Sequence, residues 1–301
     1  MYLFIALTIL CKVAAGAEWC YQSQVTCDNN CKGPDEWKNV FSECGNKKQS
    51  PINIVTKQVL ADHRLTPVQF TGYQKTLRSV IKNNGHSVQI NLPDSAVING
   101  ANLGASYKAQ QCHLHWGTSG GPGSEHTIDG EQYPMELHIV HIKENYNSLE
   151  EAVGDPLGVA VLGFFYEESR SDNEKYQPII NSLNNITLPD TNVTLEGLSL
   201  EMLIPSFDTL GEYFRYQGSL TTPGCFEAVV WTIFQQTIPL SKQQLSAFSH
   251  LQSHNETAMI NTHRPVQPRY GREVYHSGSY VFCVSTALLV SSVFSFLWFD
   301  F

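Results

Sequence analysis

Two short segments, residues 107–116 and 135–142, constrain the fold of this chain more than any other feature. They read YKAQQCHLHW and MELHIVHI, and both are rich in β-branched, aromatic and other apolar residues. Such runs predict β-strands, in which alternate side chains point to the same face. His113 and His115 then share one face of the first strand. If the strands are neighbours, His138 of the second strand completes a set of three histidines on that face.

Further strand-like runs are SVQINL, GVAVLGFFY, YFRYQGSL and AVVWTIF, whereas only NSLEEAV and SKQQLSAFSHL predict short helices. Ser241 is the predicted N-cap of the second helix. Between residues 45 and 275 the sequence contains no internal repeat and no Pro/Ser-rich linker. The sequence therefore predicts an α+β fold, a single domain on a large, mainly antiparallel twisted β-sheet with a few short surface helices.

The charge balance excludes two classes of partner. The chain has 301 residues, a formal net charge of −9 and no cluster of Lys or Arg. Nucleic acids and anionic membrane surfaces attract basic patches, so neither is an expected partner.

The N-terminus predicts export from the cell. Residues 1–17, MYLFIALTILCKVAAGA, contain a short apolar run and end in small residues, which is typical of a signal peptide. An N-terminal membrane anchor is the alternative, but the run is too short to span a bilayer. Three Asn-X-Thr triplets predict glycosylation at Asn185, Asn192 and Asn255, and the first two suggest an exposed loop.

The cysteines fit an oxidising compartment, where disulfides persist. Of the eight, Cys11 lies in the predicted signal peptide and Cys283 in the C-terminal apolar segment. Six remain, and spacing alone does not choose among their fifteen connectivities; these are Cys20, Cys27, Cys31, Cys44, Cys112 and Cys225.

The three histidines predict a catalytic zinc site. Three neutral ligands with an open fourth position define such a site, whereas structural zinc sites are closed by four protein ligands. Gln111 shares a face with His113, and Glu136 shares one with His138, so each can orient its neighbouring ring. A zinc peptidase is a rival class, but the chain has no HExxH motif.

Four further motifs accompany these two strands: QSPINI (49–54), NNGHSVQI (83–90), SEHTIDG (124–130) and GSLTTPGC (218–225). Together the six segments resemble an α-type carbonic anhydrase, and the likeness runs from about Trp19 to Arg272. The chain most resembles the membrane-anchored, type IV-like branch, through its N-terminal EWCYQSQ, Cys44 and Cys225.

The resemblance implies an enzyme that reversibly hydrates carbon dioxide to bicarbonate and a proton, with Zn2+ bound by His113, His115 and His138. It implies that Thr221 accepts a hydrogen bond from the nucleophile and donates its own proton to Glu125. Thr222 would line the bicarbonate side. The implied apolar wall for carbon dioxide consists of Val140, Val161, Leu220, Val229 and Trp231.

The resemblance also implies roles for other side chains. His86 falls at the position of the proton shuttle, and the side chains implied to order the connecting waters are Tyr21, Asn84 and Gln89, the last being asparagine in many members. His126 and His141 match packing positions, and Cys112 is expected to be a small buried hydrophobe. The histidines expected to be exposed are His63, His250, His254, His263 and His276.

The branch implies two disulfides, Cys44–Cys225 and Cys20–Cys31, with Cys20–Cys27 as the alternative because Cys27 departs from the pattern. The C-terminus, HSGSYVFCVSTALLVSSVFSFLWFDF, is long enough to span a bilayer. No basic residue follows its apolar run, and small residues precede it, which favours a GPI attachment signal with a short spacer. The branch implies attachment at Ser277, with Gly278 or Ser279 as alternatives.

These expectations divide the chain into a signal peptide (1–17), a catalytic domain (18–277) and a removed GPI-attachment propeptide (278–301). The enzyme would lie on the extracellular face of the plasma membrane, held by a GPI lipid, with bicarbonate or proton transporters as candidate partners. A catalytically silent, carbonic anhydrase-like binding module is the alternative. Such modules lose zinc ligands, and this chain keeps all three.

Overall fold

The strands predicted around His113 and His138 are direct neighbours in the sheet. The structure, a computed structural model, describes residues 19–25, 31–254 and 256–278. The predicted signal peptide, Cys27, Asn255 and the C-terminal segment from residue 279 lie outside these residues. Among the described residues, no helix is both long enough and apolar enough to cross a bilayer.

Strands dominate the described residues. In chain order they are β1 (Asn53–Ile54), β2 (Leu60–Ala61), β3 (Val68–Thr71), β4 (Leu77–Asn83), β5 (Val88–Asn91), β6 (Val97–Gly100), β7 (Tyr107–Trp116), β8 (Thr127–Ile128), β9 (Glu131–Gln132), β10 (Met135–Lys143), β11 (Val159–Ser169), β12 (Asn192–Leu198), β13 (Tyr213–Gly218), β14 (Val229–Ser241) and β15 (Tyr275–His276). Every strand-like run identified in the sequence forms one of these strands.

Twelve strands form one large sheet, with the main order β12-β4-β5-β7-β10-β11-β14-β13-β15-β2. Strand β6 pairs with β3 and β7, and a small second sheet contains β1, β8 and β9. Most neighbours are antiparallel, which confirms the predicted fold class. The parallel pairs are β11–β14, β15–β2 and β1–β8. Hydrophobic patterning identifies a strand but not its neighbour, so the parallel contact of β11 with β14 was not predicted.

The helices of the described residues are short. They are α1 (Trp37–Val40), α2 (Leu149–Ala152), α3 (Gln177–Leu183), α4 (Leu200–Leu203) and α5 (Lys242–Ala247). One-turn 3-10 helices span Gln22–Gln24, Ser42–Gly45, Thr56–Gln58, Glu174–Tyr176, Phe207–Thr209 and Phe248–His250. Helices α2 and α5 were predicted. Ser241 caps α5, because its Oγ accepts a hydrogen bond from the Gln244 amide at 3.2 Å.

Both faces of the central strands are covered, so β10 is buried along almost its whole length. On β7, Cys112 and Leu114 point into the larger hydrophobic core, opposite to His113 and His115. Cys112 is 1% exposed and is a free thiol, as expected of a small buried hydrophobe. The other face of β10, β11 and β14 carries a second, smaller apolar cluster next to the histidines.

Two disulfides join the N-terminal segment to itself and to the rest of the domain. Cys20 pairs with Cys31, and Cys44 pairs with Cys225 across a separation of 181 residues. Trp37 packs in a third cluster with the Cys44–Cys225 pair. This arrangement fixes the N-terminal segment against the loop that follows β13.

The two described glycosylation acceptors, Asn185 and Asn192, are exposed. Asn192, however, begins strand β12 rather than lying in a loop, which corrects that part of the prediction. Strand β12 is at the end of the large sheet and, among the described strands, pairs only with β4, so its solvent-facing side chains are accessible.

Candidate active site

Three histidine rings meet on one face of β7 and β10. His113 lies directly opposite His138 in the antiparallel register of the two strands. The ring centroids lie 5.0 Å apart for His113 and His115, 5.2 Å for His113 and His138, and 4.6 Å for His115 and His138. The alternation of side chains along two paired strands therefore brings the predicted set together.

Neighbouring side chains on the same strands orient two of the rings. His113 Nδ1 donates to Gln111 Oε1 at 2.8 Å, and His138 Nε2 donates to Glu136 Oε1 at 2.7 Å. An amide oxygen and a carboxylate oxygen only accept, so each contact fixes which ring nitrogen holds the proton. The remaining nitrogens, His113 Nε2 and His138 Nδ1, keep their lone pairs.

The third ring is oriented by a distant segment of the chain. His115 Nδ1 donates to the backbone carbonyl of Thr262 at 2.6 Å. The Thr262 hydroxyl also accepts a hydrogen bond from the Trp116 amide at 3.0 Å. His115 Nε2 therefore also presents a lone pair. The sequence did not indicate Thr262, because a backbone carbonyl leaves no signature in the residue type.

The donor set fits a zinc ion. The three ligand nitrogens lie within 4.8 Å of one another, and His115 Nε2 is 3.1 Å from His138 Nδ1. Both of these nitrogens present lone pairs, so no proton lies between them to form a hydrogen bond, and a cation is the group that favours this approach. Burial lowers the pKa of His115 to about 4 and also lowers the pKa of His113 and His138, which keeps the ligands neutral.

A second cluster of possible ligands, His126, Glu136 and His138, is fully buried nearby. Its polar atoms are already engaged, because Glu136 Oε1 accepts from both His126 Nδ1 and His138 Nε2 at 2.7 Å. His126 Nε2 lies 2.6 Å from the Tyr216 hydroxyl. The cluster is therefore a hydrogen-bonded support for His138 rather than a second metal site.

Gly163 makes room for this support. It lies between His138 and Ile233 in the register of β10, β11 and β14. A Cβ atom at Gly163 would lie 2.6 Å from Ile233 Cδ1 and 3.3 Å from Glu136 Oε1. A larger residue would therefore push Glu136 away from the ring that it orients.

Glu125 is buried beside the histidines. Its Oε2 lies 3.4 Å from His115 Nε2, and its Oε1 accepts the Arg264 amide at 2.8 Å. The Thr221 side chain lowers the pKa of Glu125, and Glu125 Oε2 has no hydrogen-bond partner among the described residues. Burial raises the pKa of Glu125 to about 7, against the lowering effects of His138, Arg264 and Thr221. Arg264 is a further residue that sequence patterns did not indicate.

An apolar surface adjoins the rings. Val140, Val161 and Trp231 lie side by side on adjacent strands, and the Trp231 ring is 4.8 Å from the His138 ring. Val229 and Leu220 belong to the same cluster, Leu220 being half-buried at its edge. The five residues expected to form the wall for carbon dioxide are thus brought together.

The loop with Thr221 and Thr222 is fixed at both ends. The Ser219 amide donates to Ser50 Oγ at 3.0 Å, and the Cys225 amide donates to the Thr222 carbonyl at 2.9 Å. Thr221 is buried and Thr222 is half-buried. The disulfide of Cys225 therefore closes a loop that is already held by hydrogen bonds.

His86 lies in the turn between β4 and β5, and β5 pairs with β7. Its ring stacks on Trp19 with centroids 3.8 Å apart, and the ring of His254 lies 5.5 Å away. Burial, with a smaller contribution from His254, lowers the pKa of His86 to about 4. Asn84 Oδ1 accepts the His86 amide at 3.0 Å and so holds this turn.

The other side chains expected to order water line the same region. Asn84 Nδ2 lies 3.4 Å from Gln89 Oε1, and Gln89 is paired opposite His113. The Tyr21 hydroxyl is buried and has no hydrogen-bond partner among residues 19–25, 31–254 and 256–278.

The remaining histidines divide into three groups by burial. His126 and His141 are buried, and His63 and His250 are exposed. His254, His263 and His276 are half-buried, so the expectation that they are exposed was wrong. Burial lowers the pKa of His263 to about 4. His263 lies in the segment that contacts His115 and Glu125 through Thr262 and Arg264, which explains its partial burial.

The comparisons with known proteins agree with this geometry. Residues 32–278 match the family model of eukaryotic-type carbonic anhydrases. The chain belongs to this family. It is 42% identical over 282 residues to carbonic anhydrase 4 of Oryctolagus cuniculus, which covers 92% of this chain and 90% of the relative. It is 39% identical over 284 residues to carbonic anhydrase 4 of Rattus norvegicus, covering 92% and 91%.

Carbonic anhydrase 15 of Mus musculus is 36% identical over 284 residues, covering 90% of this chain and 86% of the relative. The family assignment identifies the chain as a carbonic anhydrase that hydrates carbon dioxide. It disfavours the catalytically silent binding module, in agreement with the complete histidine set.

Proposed function

We propose that the chain is a zinc-dependent carbonic anhydrase that interconverts carbon dioxide and bicarbonate at the extracellular membrane surface. The observation that supports zinc dependence is the 3.1 Å approach of His115 Nε2 and His138 Nδ1, whose other ring nitrogens donate to fixed acceptors. A zinc ion held by His113, His115 and His138 supplies a Lewis acid that makes water nucleophilic near neutral pH.

Thr221 orients the nucleophile. We assign its hydroxyl as a donor to Glu125 Oε2, a buried oxygen without a hydrogen-bond partner among the described residues, while Oε1 of the same carboxylate accepts the Arg264 amide. The Thr221 oxygen then keeps its lone pairs for the proton of the nucleophile, which turns the nucleophile's own lone pair toward carbon. The Thr221 backbone amide faces the substrate oxygen, and Thr222 lines the bicarbonate side.

The apolar wall holds carbon dioxide next to the nucleophile. Carbon dioxide has no net dipole, so a surface of hydrocarbon side chains binds it with little loss of hydration. Charged bicarbonate gains nothing from the same surface, which favours release of the product. The residues assigned to the wall are Val140, Val161, Leu220, Val229 and Trp231.

Chelation tests zinc dependence directly. Dialysis against a zinc chelator should abolish hydration measured by stopped flow, because the three neutral imidazoles do not activate water without a cation. Stoichiometric zinc should restore the rate. The proposal would be contradicted if the dialysed protein kept its full rate with less than roughly 0.1 zinc ions per chain.

His86 is assigned as the proton shuttle, with ordered water near Tyr21, Asn84 and Gln89 as the connection. Its ring is half-buried between Trp19 and His254, at the turn that leads into β5. Imidazole accepts and releases protons near neutral pH more readily than any other side chain. The stacked position lowers the pKa of His86 to about 4, which favours release of a proton to solvent and disfavours its uptake.

Replacing His86 by Ala should slow turnover in weak buffer by on the order of 100-fold, because proton export loses its acceptor. The interconversion step, measured by isotope exchange between carbon dioxide and bicarbonate, should change little. Added imidazole should restore part of the rate. His63→Ala is the matched control at an exposed position, and an unchanged rate of His86→Ala in weak buffer would assign proton export to another group.

The extracellular location is proposed from the two ends of the chain. The signal-like residues 1–17 direct export, and the apolar segment after Ser277 fits a GPI attachment signal. Ser277 itself lies beside β13, where its Oγ accepts the Tyr213 amide at 2.8 Å and donates to the Gly211 carbonyl at 2.9 Å. A lipid at Ser277 would therefore hold the domain close to the membrane through this edge of the sheet.

Phosphatidylinositol-specific phospholipase C should release active enzyme from intact cells that express the full chain, because it cleaves a GPI anchor and not a peptide. The released protein should lack peptides from residues 281–301. The matched control is the same enzyme domain joined to a transmembrane helix, which the lipase should leave on the cells. Retention of this protein, with peptides 281–301 present, would instead show a transmembrane anchor.

A further inference from the structure

A cavity of about 420 Å3 lies apart from the histidine site. Arg215 and Val230 line it. The next residue along each strand, Tyr216 and Trp231, contacts a histidine of the site, His126 and His138 respectively. Trp231 contacts the His138 ring, so Val230 points to the opposite face of β14. None of the three zinc-ligand histidines lines this cavity.

The cavity is basic, although the whole chain has a net charge of −9. Its lining contains four cationic side chains and two carboxylates. The cations are Lys48, Arg64, Arg215 and Arg272, and the carboxylates are Asp62 and Glu273. A local excess of positive charge in an acidic protein favours an anion at this place.

Arg215 is the cation of this cavity that a bound anion would stabilise most. It is only 7% exposed, and its guanidinium donates to Thr232 Oγ1 at 3.0 and 3.2 Å and to the Ala101 carbonyl at 2.8 Å. These acceptors are neutral, and no carboxylate of the described chain lies within 4.0 Å of the guanidinium. A buried guanidinium without a counter-ion is unfavourable.

The two carboxylates of the cavity are engaged elsewhere. Asp62 pairs with Arg64 at 2.8 Å, and Glu273 accepts a hydrogen bond from the Tyr275 hydroxyl. Arg272 donates to backbone carbonyls, including those of Gln217 at 3.1 Å and Gln49 at 2.7 Å. Arg215 and Arg272 therefore both face one cavity with only neutral acceptors in direct contact.

The walls between these charges are apolar, with Leu65, Leu103 and Val230 contributing. The volume is far larger than a single inorganic anion needs and falls in the range of small-molecule sites. We propose that this cavity binds a small organic carboxylate, whose head pairs with Arg215 and Arg272 while its apolar body packs against the leucines. Guanidinium groups suit this role because their planar donors match a carboxylate.

Isothermal titration of the zinc-loaded enzyme with hexanoate tests the proposal. Hexanoate should bind more tightly than inorganic phosphate, which lacks the apolar body, and than hexan-1-ol, which lacks the charge, by about tenfold or more in each case. Equal affinities for hexanoate and phosphate would overturn the carboxylate assignment, because the apolar wall would then contribute nothing.

Two variants locate the binding. Lys48 is exposed at the cavity rim, so Lys48→Met should leave the fold and the hydration rate unchanged while weakening hexanoate by about threefold. Lys47→Met, at the adjacent exposed position that does not line the cavity, should bind as the wild type does. If hexanoate instead bound at the metal site, the two variants would bind it with equal affinity. Equal affinities in Lys48→Met and Lys47→Met would therefore overturn the proposal.

Arg215→Met provides the larger effect. It should reduce hexanoate affinity by more than about tenfold, because a charged hydrogen-bond partner is lost. Without ligand the variant should be at least as resistant to heat as the wild type, since it removes a buried charge that lacks a counter-ion. Arg170→Met, at an exposed position, is the matched control. Unchanged affinity in both Arg215→Met and Lys48→Met would overturn the assignment.

Discussion

Replacing His115 by Ala should remove zinc and hydration activity together. The ring is buried, the Thr262 carbonyl fixes its tautomer, and its Nε2 is one of the three ligand nitrogens, so its loss leaves the set incomplete. Loss of a supporting residue costs about 10- to 100-fold in metal affinity, and loss of a ligand should exceed this range. Because the metal supplies several kcal/mol of transition-state stabilisation, kcat/KM should fall by at least about 1000-fold.

Zinc content by mass spectrometry and hydration by stopped flow measure this outcome. His250→Ala, at an exposed position, should keep full zinc occupancy and full rate. The zinc content and the rate of Gln111→Ala should lie between those of His115→Ala and His250→Ala, because this change removes only the acceptor that orients His113. Full occupancy and normal hydration in His115→Ala would contradict the ligand set.

Removing the Cys44–Cys225 disulfide should give the largest loss of stability. The bond closes a loop of 181 residues, and loop-closure entropy then contributes about 5 kcal/mol to the free energy of unfolding. We expect the double variant Cys44→Ala, Cys225→Ala to unfold at a much lower denaturant concentration. The loop with Thr221 and Thr222 should also lose order, so hydration should fall even where the variant stays folded.

The second disulfide provides the matched control. Cys20 and Cys31 are separated by only 11 residues, so the same entropy argument gives about 3 kcal/mol for Cys20→Ala, Cys31→Ala. Equal losses in the two double variants, measured by urea denaturation, would show that loop length does not determine the contribution. Peptide mapping under non-reducing conditions that found Cys44 free would contradict the bond itself.

The sequence predicted the parts of the site that depend on local spacing. Alternation along a strand places His113 and His115 on one face, and Gln111 and Glu136 beside the rings that they orient. The fold class followed from the many short strand-like runs in the same way. These features need only the residues of one strand and one neighbour.

The parts that sequence reasoning missed depend on backbone atoms and on contacts between distant segments. The Thr262 carbonyl orients His115, and the Arg264 amide holds Glu125, yet any residue type could supply these groups. The half-buried state of His254 and His263 also depends on how the segment after α5 returns to the sheet. Hydrophobic patterning does not determine such long-range returns.

The contact of His115 with Thr262 has a consequence for biosynthesis. The two residues are 147 positions apart in the sequence, and Glu125 and Arg264, which also form a hydrogen bond, are 139 positions apart. A ribosome delivers the chain from the N-terminus, so the strands with the three histidines emerge well before the segment that orients them. The histidine site is therefore completed only after residue 264 has been synthesised, and a nascent chain that ends before it cannot hold a metal in the final geometry.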